Sequence, residues 1–396
     1  MVYAGENLYT CSTDTQQKIT DIIREERLNR VVVASCTPRT HEPLFQETLR
    51  EAGLNGHLFE MANIRDQCSW VHFGEPEEAT FKAKDLVRMA VARAATLRRF
   101  EDMRLEVDQR AIVVGAGLAG MTAAVSLAQQ GLEVALVERE AELGGIARKI
   151  RQTLRDPDLK THLADLIQEV KDNSLIRLYT STTISDFSGH VGKFKATLGL
   201  NGRTVEVGGG AVIVATGGEP YQPDEYSCAQ SDAVITQLEL EEKLDQPGFA
   251  EGLGQVVMIQ CVGSREEEHP YCSRVCCQEA VKNALAIKEA SPKAQVYVLN
   301  RDIRTYGFDE IHYERAREAG VVFIRFDVDD KPEVTVDGGL RVRVTDGVLQ
   351  RPVELKPDLL VLSAAIRPHP TVGAISQALK VPLNADGFFL EAHMKL

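Results

Sequence analysis

No uninterrupted apolar run in the 396-residue chain approaches the roughly 18–20 residues of a membrane-spanning helix, so no transmembrane segment is expected. The opening residues MVYAGENLYT lack the basic-then-apolar pattern of a secretory signal, and the expected compartment is the cytoplasm. Basic residues are in deficit. Forty-five Lys and Arg against 58 Asp and Glu leave a formal charge of −13, which argues against nucleic acid or an anionic membrane surface as principal partner. The eight cysteines include no C-x2-C zinc-finger pair and no C-x2-C-x2-C ferredoxin run. In a chain without secretory context, they read as reduced or ligating rather than paired in disulfides. No general acid or base stands out.

What is present is an ordinary globular composition, 44% apolar and 26% charged, with length for two or three domains. Four cysteines, Cys261, Cys272, Cys276 and Cys277, crowd into CVGSREEEHPYCSRVCC between an apolar run (256–260) and an amphipathic segment (278–290). That places them where a strand ends and a helix begins. Four thiolates so spaced read first as a metal or iron–sulfur site, and spacing alone leaves zinc and iron–sulfur both open. Arg265 and Arg274 are positioned to offset an anionic cluster, or are solvated loop charges.

Residues 1–105 read as a small α/β domain. A helix-like segment (16–28) is followed by the strand RVVVASC, a Cys36-Thr37-Pro38 turn, a second helix closed by Gly53, and a long helix over 79–101 that ends the domain. Cys11, Cys36 and Cys68 in this domain can be three ligands of a second cluster, or small buried residues. His41 and His72 lie beside two of them in sequence, and Cys228 has no partner nearby.

From Arg110 a strand leads into Gly115-x-Gly117-x-x-Gly120, then a helix, Gly131 at its end, a second strand and Glu138 about twenty residues on. This is a dinucleotide-binding βαβ unit. The first glycine allows the tight turn, the second lets the backbone approach a pyrophosphate, and the third lets helix and strand pack closely. Leu118 and Ala119 open the helix, Glu138 is placed to accept from the adenosine ribose hydroxyls, and Arg139 follows it. A second glycine pair at Gly144 and Gly145, then Ala215-Thr216-Gly217 at a later strand end, make FAD the leading cofactor. The next domain keeps a Rossmann-like alternation (strand 295–300, a helix over DIRTYGFDEIHYERAREAG, strand VVFIRF), yet the cysteine stretch stands where a second glycine loop belongs. Arg301 and Arg304 follow its second strand, where a 2′-phosphate site would stand, but the glycine loop such a site needs is missing.

The stretches VVVASCTPRTHEPLFQETLREAGLN, EMANIRDQCSWVH, VVGAGLAGMTAAVSLA, QCVGSREEEHPYCSRVCC, RDIRTYGFDEIHYERAREAGV and GFFLEAHMKL together resemble the A subunit of heterodisulfide reductase and its relatives in methanogens and sulfate-reducing bacteria. The resemblance implies an α/β thioredoxin-reductase-like FAD domain with an inserted Rossmann-like domain, preceded by the small α/β domain. The expected division is 1–105, 106–250 (FAD domain, first part), 251–349 (Rossmann-like) and 350–396 (return to the FAD domain). It further implies FAD and a [4Fe-4S] cluster on Cys261, Cys272, Cys276 and Cys277. The implied partners are other electron-transfer subunits, with a ferredoxin or hydrogenase-type donor. In methanogen members the flavin splits an electron pair between ferredoxin and a heterodisulfide. Longer members carry further ferredoxin-like cysteine runs and continue past KL to complete the FAD site, so this chain reads as a short or truncated member. Two other classes of function remain: a nicotinamide-dependent disulfide reductase, which calls for a C-x2-C pair and a second glycine fingerprint, and a zinc-stapled scaffold without catalysis.

Overall fold

The structure, a computed structural model, describes residues 1–101, 103, 105–200 and 202–391. The last five residues of the GFFLEAHMKL stretch lie outside the described residues. The chain forms two compact units, Met1–Leu105 and Glu106–Leu396.

In the first unit, strands Val31–Ser35 and Phe59–Asn63 pair in parallel. A parallel pair needs a crossover, and helix Pro38–Glu51 provides it. Pro38 starts that helix with its φ already suited to a first turn, and the Thr37 side chain accepts from the Arg39 N–H. Ile23, Val33, Phe45, Leu49 and Phe59 form the core, with Phe45 stacked on Phe59 at 5.7 Å between centroids. The long helix spans Pro76–Thr96, starting and stopping earlier than the expected 79–101, because Pro76 begins it and Leu97 turns extended.

The second unit is α/β, built on two parallel sheets. The first has the strand order Ile176–Tyr179, Val134–Val137, Ala111–Val114, Ala211–Val214. Ala111–Val114 is buried along its whole length, as expected of a strand covered on both faces. Helices Leu118–Gln129 and Leu159–Asp172 cover one face through Met121, Val125, Leu163 and Leu166. An antiparallel meander, Thr182–His190, Lys193–Leu200 and Arg203–Gly209, joins the core of the other face through Phe187 and Ala196.

The second sheet has five parallel strands in the order Val234–Thr236, Leu359–Ala364, Gln255–Val262, Gln295–Asn300, Val322–Arg325. Met258, Val281, Ile287 and Val361 pack on the helical side, and Val257, Leu299, Val342 and Leu360 on the side of a second meander. This sheet reaches beyond the expected 251–349 at both ends, because parallel edge positions are filled by strands distant in sequence. A two-stranded antiparallel link, Gly218–Pro220 with Ile366–Pro368, carries the chain out of the first sheet's domain and back. The helix expected over DIRTYGFDEIHYERAREAG is shorter. Gly307, at φ +67°, opens a 3-10 turn, and the α-helix runs only over Glu310–Glu318, leaving 302–306 to face the cysteine loop.

Candidate functional site

A cavity of about 860 Å³ opens over the first parallel sheet. Gly115, Gly117, Leu118, Ala119, Glu138, Arg139, Gly144, Gly145, Ala215, Thr216 and Gly217 all line it. Gly120 does not, and its role is packing. A Cβ on Gly120 would lie 1.8 Å from the Gly115 carbonyl oxygen, and one on Gly115 would lie 2.4 Å from that of Ala215. A Cβ on Gly117 would meet no atom within 4 Å, so its bare backbone leaves room for a ligand above the first turn of helix Leu118–Gln129. That helix has no side-chain cap, and its first N–H groups face the cavity. The cradle fits a dinucleotide pyrophosphate.

Glu138 is 8% exposed, and backbone already engages both of its oxygens. Oε2 accepts from the Ala116 N–H at 2.6 Å and Oε1 from the Glu140 N–H at 2.9 Å. It therefore ties the glycine loop to the end of the second strand, and its capacity for ribose hydroxyls is limited to the remaining lone pairs. Arg139 pairs with Glu140 and lies 3.6 Å from Glu219. Sequence reasoning missed the far wall of the cavity, formed by Thr182–Phe187 of the meander, Glu219, His369, and Thr371–Ala378. Nothing local marks these residues, since they meet the glycine loop only through the sheet topology.

The four clustered cysteines meet at the end of strand Gln255–Val262. Cys261 sits on a register irregularity between Ile259 and Val262 and adopts φ +63°, uncommon for a residue with a side chain. Gly263, Arg265 and Arg274 are also left-handed, so the loop holds an unusually tight path. Cys276 and Cys277 begin helix Cys276–Ala290, two residues earlier than the expected 278, and both are buried, as is Cys261. The thiols lie near enough for each of these three to feel its neighbours. Burial is the first cause that pushes Cys261, Cys276 and Cys277 up, Cys277 to about 11, and neighbouring cysteines add to it.

Cations and N–H groups surround the sulfurs. Arg265 Nη1 lies 3.8 Å from Cys261 Sγ and forks onto Asp302. The Arg274 backbone N–H donates to Cys272 Sγ at 3.4 Å, and Arg304 lies against Cys272. Arg274 thus contributes its backbone rather than its guanidinium. Arg301 binds the Arg265 carbonyl and Glu266, and Arg304 binds Asp302. Both are committed to the cysteine loop, which overturns any reading of them as a 2′-phosphate site. Among the described residues, no three His, Cys, Asp or Glu side chains converge as a single metal ion requires.

In the first unit, a cavity of about 540 Å³ is lined by Cys11, Cys36 and Cys68 together with Tyr9, Ser35 and Arg65. Cys68 lies on a one-turn π-helix, Arg65–Ser69, a distortion frequent at functional sites. His41 Nδ1 lies 3.1 Å from Cys36 Sγ, whereas His72 turns to Glu75. Cys228 packs beside the second core, 4.0 Å from the Val234 carbonyl.

Residues 109–246 match the pyridine nucleotide-disulphide oxidoreductase family. The whole chain is 34% identical to one of the iron-sulfur A subunits (number 2) of CoB–CoM heterodisulfide reductase from Methanopyrus kandleri, covering 75% of that protein. It is 33% identical to the A subunit of the H2:CoB-CoM heterodisulfide, ferredoxin reductase of Methanothermobacter marburgensis, covering 74% of it. Among solved structures, thioredoxin reductase of T. acidophilum is similar over 72% of this chain and 86% of that one, at 16% identity and a TM-score of 0.49. With a dinucleotide cradle on one sheet, a four-cysteine loop on the next and identity to these relatives along its full length, the chain belongs to the oxidoreductase family of heterodisulfide reductase A subunits.

Proposed function

We propose that the chain is an electron-transfer subunit that holds FAD in the glycine-lined cavity and a [4Fe-4S] cluster on Cys261, Cys272, Cys276 and Cys277. When bound, the flavin would exchange electrons in pairs and the cluster singly. The observation that carries this reading is the position of the cysteine loop, which stands where a nicotinamide-binding glycine loop would and touches the flank of the cavity. A Cβ on Gly263 would lie 2.4 Å from the Tyr221 ring, and the residues on either side of Tyr221 line the cavity.

The protein's own residues do three things here. Gly117 and the helix start bind phosphate, Tyr221 and Gly263 fix the separation of the two centres, and Arg265, Arg304 and the Arg274 N–H offset negative charge on sulfur. Four soft sulfur donors suit either iron–sulfur or zinc, and the printed name of the Methanopyrus relative, an iron-sulfur subunit, supports the cluster. Cys11, Cys36 and Cys68 are proposed as part of a second cluster, supported by the cavity they share. The names of the methanogen relatives support partner electron-transfer subunits, with a heterodisulfide or ferredoxin as eventual acceptor and division of the electron pair as the fuller form of the proposal. Among the described residues no helix is long and apolar enough to cross a membrane.

Anaerobic reconstitution with iron, sulfide and FAD, followed by visible and EPR spectra and metal analysis, tests this. Bound flavin with a reducible cluster is expected, and Cys276→Ala should lose the cluster signal. Stoichiometric zinc without flavin would sink the reading.

A further inference from the structure

His369 follows the return strand Ile366–Pro368 and lines the dinucleotide cavity, yet its side chain is only 5% exposed. The Thr371 backbone N–H donates to its Nδ1 at 3.1 Å, and the Thr371 hydroxyl, 2.6 Å from the same nitrogen, is free to rotate and donate there too. A backbone N–H can only donate, so Nδ1 must present its lone pair, and a neutral ring then carries its proton on Nε2. Burial, then the nearby Arg139, push the imidazole below its usual range, against the pull of Glu219, Glu140 and Glu138, so the ring is neutral near pH 7. Nε2 makes no hydrogen bond. Glu219 Oε1 is 3.0 Å away but off the direction an N–H bond requires. A buried donor therefore remains unsatisfied at the cavity wall, which is costly unless a ligand completes it.

Glu219 sits on the partner strand of the two-stranded link, opposite Arg367, and is partly open to the cavity. Together the two side chains offer an N–H donor and a carboxylate acceptor within 3.0 Å of each other. A hydroxyl, which accepts one hydrogen bond and donates another, is complementary to that pair. The pair also fills a need left by Glu138, whose oxygens are already engaged by backbone. We propose that His369 Nε2–H and the Glu219 carboxylate together bind one sugar hydroxyl of the flavin dinucleotide, on either the adenosine ribose or the ribityl chain. The inference rests on the flavoprotein reading above and assigns two binding groups outside the glycine fingerprint.

Full-length wild type, His369→Leu, His369→Gln and Glu219→Leu are titrated with FAD, with ADP as the adenosine half and with FMN as the ribityl half, by fluorescence and calorimetry. Melting temperatures of the free proteins are compared alongside. His369→Leu is expected to weaken FAD binding about tenfold, the loss of one hydrogen bond in a buried site. His369→Gln, which keeps an N–H, should recover most of the affinity. A matching loss with ADP assigns the hydroxyl to the adenosine ribose, and one with FMN to the ribityl chain. If His369→Leu melts like wild type and binds all three probes as tightly, the inference is overturned while the flavoprotein reading stands. If His369→Leu does not fold, unchanged FAD affinity in a folded Glu219→Leu variant, which removes the acceptor, overturns it instead. A wild type that takes up no FAD overturns both.

Discussion

Glu138 is the residue whose sequence role and structural role diverge most. Its place after the second strand marks it as a ribose acceptor, yet it also closes the glycine loop by accepting from the Ala116 and Glu140 N–H groups. Glu138→Ala would strand the buried Ala116 donor and free the half-buried Glu140 one, so a loss of about 1–3 kcal/mol is expected in urea unfolding of the cofactor-free protein. Unchanged stability would show that the loop holds without it. The cysteines make a pH prediction. Burial holds the Cys277 thiol at about 11, above its ordinary 9.0, and raises Cys261 and Cys276 as well. At neutral pH all three are protonated, so holding a cluster as thiolates must release protons, and the apparent affinity for iron in anaerobic reconstitution with sulfide should climb with pH over about 6 to 8. An indicator dye should register the protons released; a pH-independent affinity would contradict the burial. In the metal-free chain the sign is opposite. The folded state favours the neutral thiol, so the stability this contributes is full below pH 9.0 and fades as pH rises through about 11. Residue type and spacing made the fingerprint glycines and the four clustered cysteines readable in the sequence. His369 and Glu219 were not, because 150 residues separate them and only the pairing of Gly218–Pro220 with Ile366–Pro368 brings them together.

Among elements, helix Cys276–Ala290 does more than start at two cysteines. Its Lys282 is buried against Glu241 of helix Gln237–Leu244 and donates to the Gln152 carbonyl at 2.9 Å, while Glu241 accepts from the Arg151 N–H at 2.9 Å. Arg155 reaches Asp309 through two bonds of 2.9 Å, so the 151–155 loop of the first sheet's domain is strapped to the cysteine-bearing domain. Lys282→Met leaves a buried, uncompensated carboxylate, and a loss of about 3–5 kcal/mol by chemical denaturation is expected. Pairing it with Glu241→Leu should recover only part of that loss, since replacing a whole buried pair by apolar residues is often near neutral but here the Arg151 N–H and Gln152 carbonyl lose these partners. A double variant as unstable as the single would place the cost in packing instead. The helix was legible from its apolar spacing. Its first turn was not, because Cys276 and Cys277 read as loop ligands until the strand beside them fixes where the helix begins. The segment after Asn300 misled for a related reason: periodicity continues through Tyr306, but Gly307 and the pull of Asp302 on Arg265 and Arg304 hold 302–306 out of the helix.

For the molecule as a whole, the alternation of strands and helices made the α/β class readable, while the membership of each sheet was not. Strands Val234–Thr236 and Leu359–Ala364 enter the five-stranded sheet from either side of the cysteine-bearing stretch, and local sequence carries no sign of that long-range pairing. The cysteine loop meets the flank of the cavity at Gly263 and Tyr221, with Arg367 stacked on the Tyr221 ring at 4.7 Å. Gly263→Ala would force a side chain against that ring from a left-handed backbone, at φ +71°. A destabilisation of about 1–3 kcal/mol is expected, with an altered rate of cluster reduction after the flavin is reduced in rapid-mixing experiments. If both stay at wild-type values, the junction is slack and the separation is set elsewhere.

The two-stranded link has an evolutionary reading as well. Because the chain leaves the cofactor-binding domain at Gly218–Pro220 and re-enters it on the adjacent strand Ile366–Pro368, everything between departs and arrives through one doorway. A module exchanged behind that doorway would still have to supply the partners of Arg151, Gln152 and Arg155, which tie the host domain to it.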